Sequence, residues 1–277
     1  MAMGIPARIF ATLLRISPGR TRNWLWKWWY QRLAKAHNRS DFRFMNYGFI
    51  DDDGPELDDE DEAYRLFIQL YHQNIRDVDL SNKDVLEVGS GRGGGASWIA
   101  KYAKPKSLVA VDFSKSAVEL ANKWYASQKN LFFKEENAES LSMSDSSFDI
   151  VYNVESSHCY GNMGKFVNEV YRVLKPGGFF CWTDFRDKPT IKSVNSFFEE
   201  AKLEIISKKD ITKEVLMALD DINDDKAKVI SEKVPRTMRK SFETFAGVEG
   251  TPVYEAFKTG TLHYYRYLLR KADLNYL

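Results

Sequence analysis

The stretch "DVLEVGSGRGGGASWIAK", residues 84–101, places five glycines in seven positions directly after a short apolar run. Glycine weakens strands and helices through its backbone entropy, so a cluster of glycines at this point needs a reason. The apolar run predicts a strand, and it is followed by the spacing G-x-G-x-G and then by a helical pattern. This order of features predicts a ligand-binding turn. The glycines let the backbone approach a ligand, and the helix N-terminus adds free N–H groups and partial positive charge. We expect the ligand outside the carboxyl ends of the strands.

From residue 84 onward, short β-rich runs alternate with helical patterns, which predicts a parallel sheet covered by helices on both faces. The predicted strands are 84–88, 107–112, 131–135, 148–154, 178–184, 203–212 and 259–271, and the predicted helices are 94–103, 115–128 and 162–173. The last strand alternates only partly, and we expect it to be an antiparallel edge. Between the last two strands, a charged helical segment at about 213–257 predicts a cap over the ligand crevice.

The chain has 277 residues, which is enough for one elaborated domain or a domain with an appendage. Its formal net charge of +1 hides an asymmetry in the distribution of charge. Residues 1–43 hold nine Lys or Arg and one acid, whereas residues 51–62 hold nine acids and no base. We therefore divide the chain into a basic, aromatic arm with an acidic loop (1–62) and a main domain (63–277).

The two cysteines, Cys159 and Cys181, do not have the spacing of metal ligands. We therefore predict neither a disulfide framework nor a metal site, and a reducing compartment is the better expectation. No apolar run approaches the roughly 20 residues of a membrane-spanning helix. Together these features predict a cytoplasmic protein.

Two classes of ligand fit the glycine turn. Gly89, Gly91 and Gly94 satisfy the dinucleotide pattern G-x-G-x-x-G, which is a weak signal on its own. Asp112 ends the second strand, where an acid would bind ribose hydroxyls in either class. The deciding stretches are "EVGSGRG" (87–93), "ENAESL" (136–141), "SSFDIVYNVESSHCY" (146–160) and "VNEVYRVLKPGGFF" (167–180). Together they resemble the class I S-adenosylmethionine-dependent methyltransferases.

This resemblance implies a Rossmann-like α/β fold with a seven-stranded, mostly parallel sheet and an antiparallel last strand. An N-terminal helical arm and the helical cap complete the predicted fold. S-adenosylmethionine is the implied cofactor. Asn137 stands where related enzymes often carry Asp, and its amide oxygen still accepts a hydrogen bond. For Tyr47 and Tyr71, packing of a helix on the sheet is the alternative to a cofactor contact. The residues that we assign to the cofactor are Tyr47, Tyr71, Glu87, Gly89, Ser90, Gly91, Gly93, Asp112, Phe113, Asn137, Ala138 and Asn153.

Further stretches narrow the resemblance to the phthiotriol and phenolphthiotriol dimycocerosate methyltransferases. They include "WKWWY" (26–30), "FMNYGF" (44–49), "NVESSHCY" (153–160), "FAGVEGT" (245–251) and "GTLHYYRY" (260–267). The resemblance implies methyl transfer to a hydroxyl of a lipid-like or polyketide-like small molecule. N-methylation of an amine and sterol-type C-methylation are the alternatives within enzymes. A non-catalytic lipid-binding protein is the alternative from another class, and an NAD-dependent dehydrogenase is the weakest option.

A hydroxyl acceptor needs a positioned base. His158 follows the fourth strand, and an imidazole with a pKa of about 6.5 accepts a proton at neutral pH. We therefore predict His158 as the base, with a hydrogen bond within its own loop as the alternative. Glu155 either orients His158 or contacts the acceptor, and its alternative is a solvated or helix-capping acid. Asp184 either pairs with His158 or forms an ion pair with Arg186.

The stretch "RTRNWLWKWWYQRLAK" (20–35) mixes Trp with Arg and Lys. We predict that the tryptophans pack on the domain or close the pocket, since tryptophans bury large areas. Peripheral contact with a membrane surface, which would bring the enzyme to a lipid acceptor, is the alternative. The adjacent acidic run and the near-neutral total charge argue against nucleic acid. The predicted partner is a small-molecule acceptor, and the sequence does not indicate an oligomeric state.

Overall fold

The computed structural model describes residues 43–234, 236 and 239–272, so the aromatic stretch 20–35 lies outside the described residues. Within that part of the chain one sheet has seven strands in the order β3-β2-β1-β4-β5-β7-β6. Strands β1 to β5 pair in parallel, and β7 pairs antiparallel with both β5 and β6. The strands are β1 (Asp84–Val88), β2 (Ser107–Asp112), β3 (Leu131–Glu135), β4 (Phe148–Val154), β5 (Leu174–Arg186), β6 (Leu203–Asp210) and β7 (His263–Lys271).

This topology confirms the predicted α/β class, the seven-stranded sheet and the antiparallel last strand. The predicted edge position of that strand is wrong, because β7 lies between β5 and β6. The burial of the two strands gives the physical reason. β7 is buried along nearly its whole length, whereas β6 is mostly exposed and carries Lys208 and Lys209. Exposed charged side chains suit an edge strand because they oppose further strand pairing.

Helices cover both faces of the sheet, as the alternating pattern predicts. Neighbouring residues of β1 point to opposite faces, and each enters a different buried cluster. Val85 packs in a cluster with Ile68 and Ile99, whereas Leu86 packs in a cluster with Phe166. Among residues 43–272 as the structure describes them, the α-helices outside the cap are α1 (Asp59–Glu62), α2 (Arg65–Ile75), α3 (Gly94–Tyr102), α4 (Lys115–Trp124), α5 (Met163–Val173) and α6 (Lys188–Glu200).

The predicted cap is present between β6 and β7. Its helices in the described part of the chain are α7 (Thr212–Asp221), α8 (Asn223–Lys233), α9 (Arg239–Ala246) and α10 (Pro252–Lys258). The segment 43–50 joins the cap to the sheet. The Ile50 N–H donates to the Glu214 carbonyl of the cap at 3.3 Å, and the Gly94 N–H of the glycine turn donates to the Arg43 carbonyl at 3.2 Å. This segment therefore contacts both the cap and the predicted ligand-binding turn.

The acidic run is held against the domain rather than fully solvated. Its last residues form α1, and Lys101 of α3 lies 2.8 Å from Asp58 and 2.7 Å from Glu60. The predicted loop is thus partly helical, and a cation of the main domain pairs with its acids. None of the helices among residues 43–272 that the structure describes has the length and apolarity to cross a membrane.

Candidate active site

A cleft of about 1030 Å³, partly open to solvent, lies at the carboxyl ends of β1, β2 and β4. We call it the glycine cleft. The predicted residues that line it are Tyr71, Gly89, Ser90, Gly91, Asp112, Phe113, Asn137, Ala138 and Glu155. The other predicted residues, all within the described part of the chain, do not line it; they are Tyr47, Glu87, Gly93, Asn153, His158 and Asp184. The structure therefore brings most of the predicted cofactor residues into one cleft at the expected end of the sheet.

Asp112 is fixed beside the glycine turn. Its Oδ2 accepts the Gly91 N–H at 2.8 Å, and its Oδ1 accepts the Ser114 N–H at 2.8 Å. Burial raises the pKa of Asp112 to about 6, which still leaves the carboxyl mainly ionised at neutral pH. Ser90 Oγ is buried in the same cleft and has no hydrogen-bond partner among the described residues. Since buried polar groups are normally hydrogen-bonded, this oxygen suits a polar ligand.

The glycines of the turn have two different functions. Gly91 has φ +54°, and a Cβ added there would meet only Met45 Sδ, at 3.5 Å. By contrast, a Cβ at Gly93 would lie 2.5 Å from the Phe133 ring, and one at Gly94 would lie 2.5 Å from the Arg43 carbonyl oxygen. The interpretation that the cluster lets backbone approach a ligand is therefore too broad. It suits Gly91, whereas Gly93 and Gly94 make room for the protein itself.

Gly95 also makes room for the protein, because a Cβ there would overlap the Tyr71 ring. We expect Gly95→Ala to lower the free energy of unfolding by about 1–3 kcal/mol, the usual cost of overpacking a core. Thermal melting would measure the effect. Tyr71 lines the glycine cleft, so ligand affinity should fall as well. An unchanged melting temperature would show that the ring moves aside without cost.

Two of the predicted cofactor residues lie beneath the cleft. Glu87 is fully buried, and its Oε2 accepts the Tyr152 O–H at 3.0 Å. Burial raises the pKa of Glu87 to about 8. Asn153 donates to the Val88 carbonyl at 2.7 Å and to Ser156 Oγ at 2.7 Å. In the structure these two side chains therefore hold the ends of β1 and β4 together under the cleft.

Glu155 directly follows β4 and lines the glycine cleft. Its φ of +47° is unusual for a residue with a side chain and costs about 1–3 kcal/mol. Its Oε2 accepts the Tyr47 N–H at 2.9 Å and the Tyr264 O–H at 2.8 Å. Burial raises the pKa of Glu155 to about 7, although these two hydrogen bonds oppose the rise. The structure thus holds a carboxyl group that titrates near neutral pH at the wall of the cleft.

His158 and Asp184 form a hydrogen-bonded pair beside the cleft, with His158 Nδ1 2.8 Å from Asp184 Oδ1. Arg186 is 3.1 Å from the same carboxylate, so both predicted partners of Asp184 are present. Burial alone lowers the pKa of His158, but Cys159 and the Asp184 carboxylate outweigh it and raise the pKa to about 10. Arg186 and His158 hold the pKa of Asp184 below its usual range despite burial. At neutral pH His158 is therefore an imidazolium.

A second cleft, of about 1210 Å³, lies between the segment 43–50 and the cap, and we call it the cap cleft. Aromatic and aliphatic side chains form most of its walls, and the aromatic ones are Phe44, Tyr47, Tyr64, Phe67, Phe242 and Phe245. Lys226 of α8 also lines it and donates to the Ala246 carbonyl at 3.1 Å. The two clefts are neighbours, since Met45, Asn46 and Arg92 line both.

The sequence reasoning missed these shared residues and Lys226. Met45 and Asn46 lie in "FMNYGF", one of the stretches that carry the family resemblance and that contains the predicted site residue Tyr47. Their position in that stretch is a sequence signal that they lie near the site. Arg92 lies within the glycine turn itself. Lys226 is one of several lysines in a charged helix, and its sequence position carries no sign that it enters an aromatic cleft.

Comparisons with known proteins agree with this geometry. A model of the methyltransferase domain matches residues 86–182. The phthiotriol/phenolphthiotriol dimycocerosates methyltransferase of Mycobacterium tuberculosis is 32% identical over 267 residues, which cover 96% of this chain and 98% of that protein. A fatty-acid O-methyltransferase of Mycolicibacterium smegmatis is 32% identical over 244 residues, covering 87% of this chain and 88% of that protein.

Solved structures share the fold at lower sequence identity. Geranyl diphosphate C-methyltransferase from Streptomyces coelicolor A3(2), solved with S-adenosyl-L-homocysteine, has a TM-score of 0.64 at 15% identity and covers 88% of this chain and 98% of that chain. The [4+2]-cyclase SpnF has a TM-score of 0.64 at 18% identity and covers 83% of this chain and 87% of that chain. At such identities these neighbours show the fold alone.

The fold, the glycine cleft and the domain match define an S-adenosylmethionine-dependent methyltransferase of class I. Within that class, the chain belongs to the family of the phthiotriol/phenolphthiotriol dimycocerosates methyltransferases. The molecule is therefore an enzyme whose cofactor is S-adenosylmethionine, and the dehydrogenase and the non-catalytic lipid-binding protein are set aside.

Proposed function

We propose that this enzyme transfers a methyl group to a hydroxyl oxygen of a lipid-like small molecule. The observation that carries the proposal is the position of Glu155, which lines the glycine cleft and binds the backbone of Tyr47, a residue of the cap cleft. A carboxylate thus stands where a cofactor cleft meets an aromatic cleft suited to an apolar acceptor. The names of the two relatives, one acting on dimycocerosates and one on fatty acids, support a lipid acceptor.

The residues of the glycine cleft fit S-adenosylmethionine. We assign the ribose hydroxyls to Asp112, the adenine amino group to the Asn137–Ala138 loop, and a further polar contact to the unpartnered Ser90 Oγ. Gly91 leaves the cleft open beside them. When bound, S-adenosylmethionine supplies an electrophilic methyl group on a sulfonium sulfur. The contribution of the chain is then to hold the acceptor oxygen in line with that group and to remove its proton.

We assign the proton acceptor to Glu155. Both of its hydrogen bonds end on Oε2, so Oε1 has no described partner and is available for an acceptor hydroxyl. The His158 imidazolium lowers the pKa of Glu155 and so favours the ionised carboxylate. In this arrangement His158 and Asp184 are positioning residues. His158 supplies a positive charge near Glu155, and neither residue accepts the proton of the acceptor. His158 as the base stays a sequence prediction, and it would first have to lose its own proton.

The two assignments predict different pH profiles. With Glu155 as the base, activity requires the carboxylate, so we expect kcat to rise with pH through an apparent pKa of about 7 and to be lost below it. With His158 as the base, the rise would be centred near pH 10. The initial rate of methyl transfer from pH 5.5 to 10.5, at saturating substrates, distinguishes the two.

The experiment that tests the proposed function is incubation with methyl-labelled S-adenosylmethionine and a lipid extract, followed by partition between organic solvent and water. We expect the label in the organic phase, in a product stable to acid and base as a methyl ether is. Label in an aqueous cationic product would replace the proposal with amine N-methylation. A methyl group on carbon, identified by mass spectrometry of the product, would replace it with sterol-type C-methylation.

We further propose that the enzyme works on this acceptor in the cytoplasm without a nucleic-acid partner. Packing of the stretch 20–35 on the domain stays the prediction and contact with a membrane surface the alternative, because that stretch lies outside the described residues. Flotation of the protein with anionic vesicles, compared with a variant that lacks residues 1–42, would test it.

A further inference from the structure

Among the described residues, Lys226 is the lysine that lines the cap cleft, and aromatic side chains lie near its ammonium group; Arg92, Asn46 and Asp225 are further polar residues of the lining. Lys226 Nζ lies 5.8 Å from the centre of the Tyr47 ring and 5.8 Å from the centre of the Phe67 ring. It donates to the Ala246 carbonyl, and no carboxylate of the described residues lies within ion-pair distance. Asp225, the preceding residue of the helix, also lines the cleft but is exposed and does not pair with Lys226.

The surroundings of Lys226 stabilise its ammonium group only in part. Aromatic faces and a carbonyl oxygen favour the ammonium form, because each presents negative charge to it. Burial nevertheless lowers the pKa of Lys226 to about 8. An apolar chain that entered the cleft would remove more water from the ammonium group and increase this cost. A bound anion would offset the cost through a charge-assisted hydrogen bond.

We propose that the cap cleft binds an acidic lipid, and that Lys226 pairs with the carboxylate of this acceptor. The proposal rests on the proposed function, in which a hydroxyl of the same lipid accepts the methyl group. The aromatic walls then contact the hydrocarbon chain, and Lys226 makes the enzyme select hydroxy acids over neutral alcohols of equal length.

Lys226 and Glu155 are the charged groups that one acceptor would contact, and both lie near Tyr47. Tyr47 contacts both of them, since its ring lies below Lys226 Nζ and its backbone N–H donates to Glu155. Glu155 is also close enough to raise the pKa of Lys226 and partly oppose the effect of burial. A hydroxyl beside Glu155 and a carboxylate beside Lys226 would therefore both lie next to Tyr47.

The test measures binding and needs no methyl transfer. In the presence of S-adenosylhomocysteine, titration calorimetry compares 2-hydroxyhexadecanoic acid with 1,2-hexadecanediol on the wild type, Lys226→Met and Lys226→Arg. Met keeps the length and apolar stem of Lys without its charge, and Arg keeps the charge. Lys228→Met removes an exposed lysine of the same helix and serves as the matched control.

We expect the wild type to bind the acid at least about tenfold more tightly than the diol, in line with the strength of a hydrogen bond to a charged group. Lys226→Met should lose that preference, whereas Lys226→Arg and Lys228→Met should keep it. Equal wild-type affinity for acid and diol, or an equal loss of both in Lys226→Met, would overturn the proposal. Because labelled methyl transfer is measured separately, failure of the proposed function would appear as absent turnover and not as lost acid selectivity.

Discussion

Replacing Glu155 with Gln should lower kcat by about 10²–10⁴-fold, the usual contribution of a positioned base, while S-adenosylmethionine binding is retained. Gln has the size of Glu, and its amide oxygen can still accept the Tyr47 N–H and the Tyr264 O–H that hold Glu155 Oε2. The variant therefore preserves the loop and removes only the proton acceptor. Single-turnover rates with labelled cofactor, together with calorimetric binding of the cofactor, separate chemistry from binding.

A second acid of the same cleft provides the matched control. Glu136 also lines the glycine cleft, but its carboxylate accepts hydrogen bonds from Ser142 on the exposed side. We expect Glu136→Gln to leave kcat near the wild-type value. Tyr264→Phe should move the pH profile upward, because it removes a hydrogen bond that lowers the pKa of Glu155. If Glu155→Gln keeps full activity, the base lies elsewhere, and the pair of His158 and Asp184 becomes the next candidate.

The fold follows from sequence signals that are local and strong. Short β-rich runs that alternate with helical patterns place β1 to β4 at the observed residues, whereas β5 begins at Leu174, four residues before its predicted start. The position of β7 could not be predicted in this way, because strand order is decided by long-range packing. Only the complete sheet shows that β7 is buried between β5 and β6 and does not form the edge.

In the candidate site, too, the parts built from residues close in sequence were predictable, whereas the parts that depend on long-range contacts were not. Asp112 and Gly91 were predictable because the ligand-binding turn is built from consecutive residues and one neighbouring strand end. The proton acceptor could not be predicted from the sequence, since the choice between Glu155 and His158 depends on their pKa values. Burial and partners distant in sequence set those pKa values. Lys226 belongs to a helix that begins 69 positions after the end of β4, and only folding brings it near Glu155.

The largest expected effect on cofactor binding is that of Gly91→Leu. The Cβ direction at Gly91 opens into the glycine cleft, where only Met45 Sδ lies nearby, so a leucine side chain would occupy space that the cofactor needs. We expect S-adenosylmethionine affinity to fall by roughly 10–100-fold, the equivalent of about 1–3 kcal/mol of overpacking. Calorimetric titration of the folded variant with the cofactor measures this loss.

Because Gly91 has a positive φ, leucine there also strains the backbone by about 1–2 kcal/mol, and this cost must be separated from the effect on the cleft. Gly177 is the matched control, since it has φ +76° and a Cβ added there would meet nothing within 4 Å. Gly177→Leu should lose a similar amount of stability in thermal melting but bind the cofactor normally. Equal losses of affinity in both variants would mean that backbone strain, and not occupation of the cleft, weakens binding.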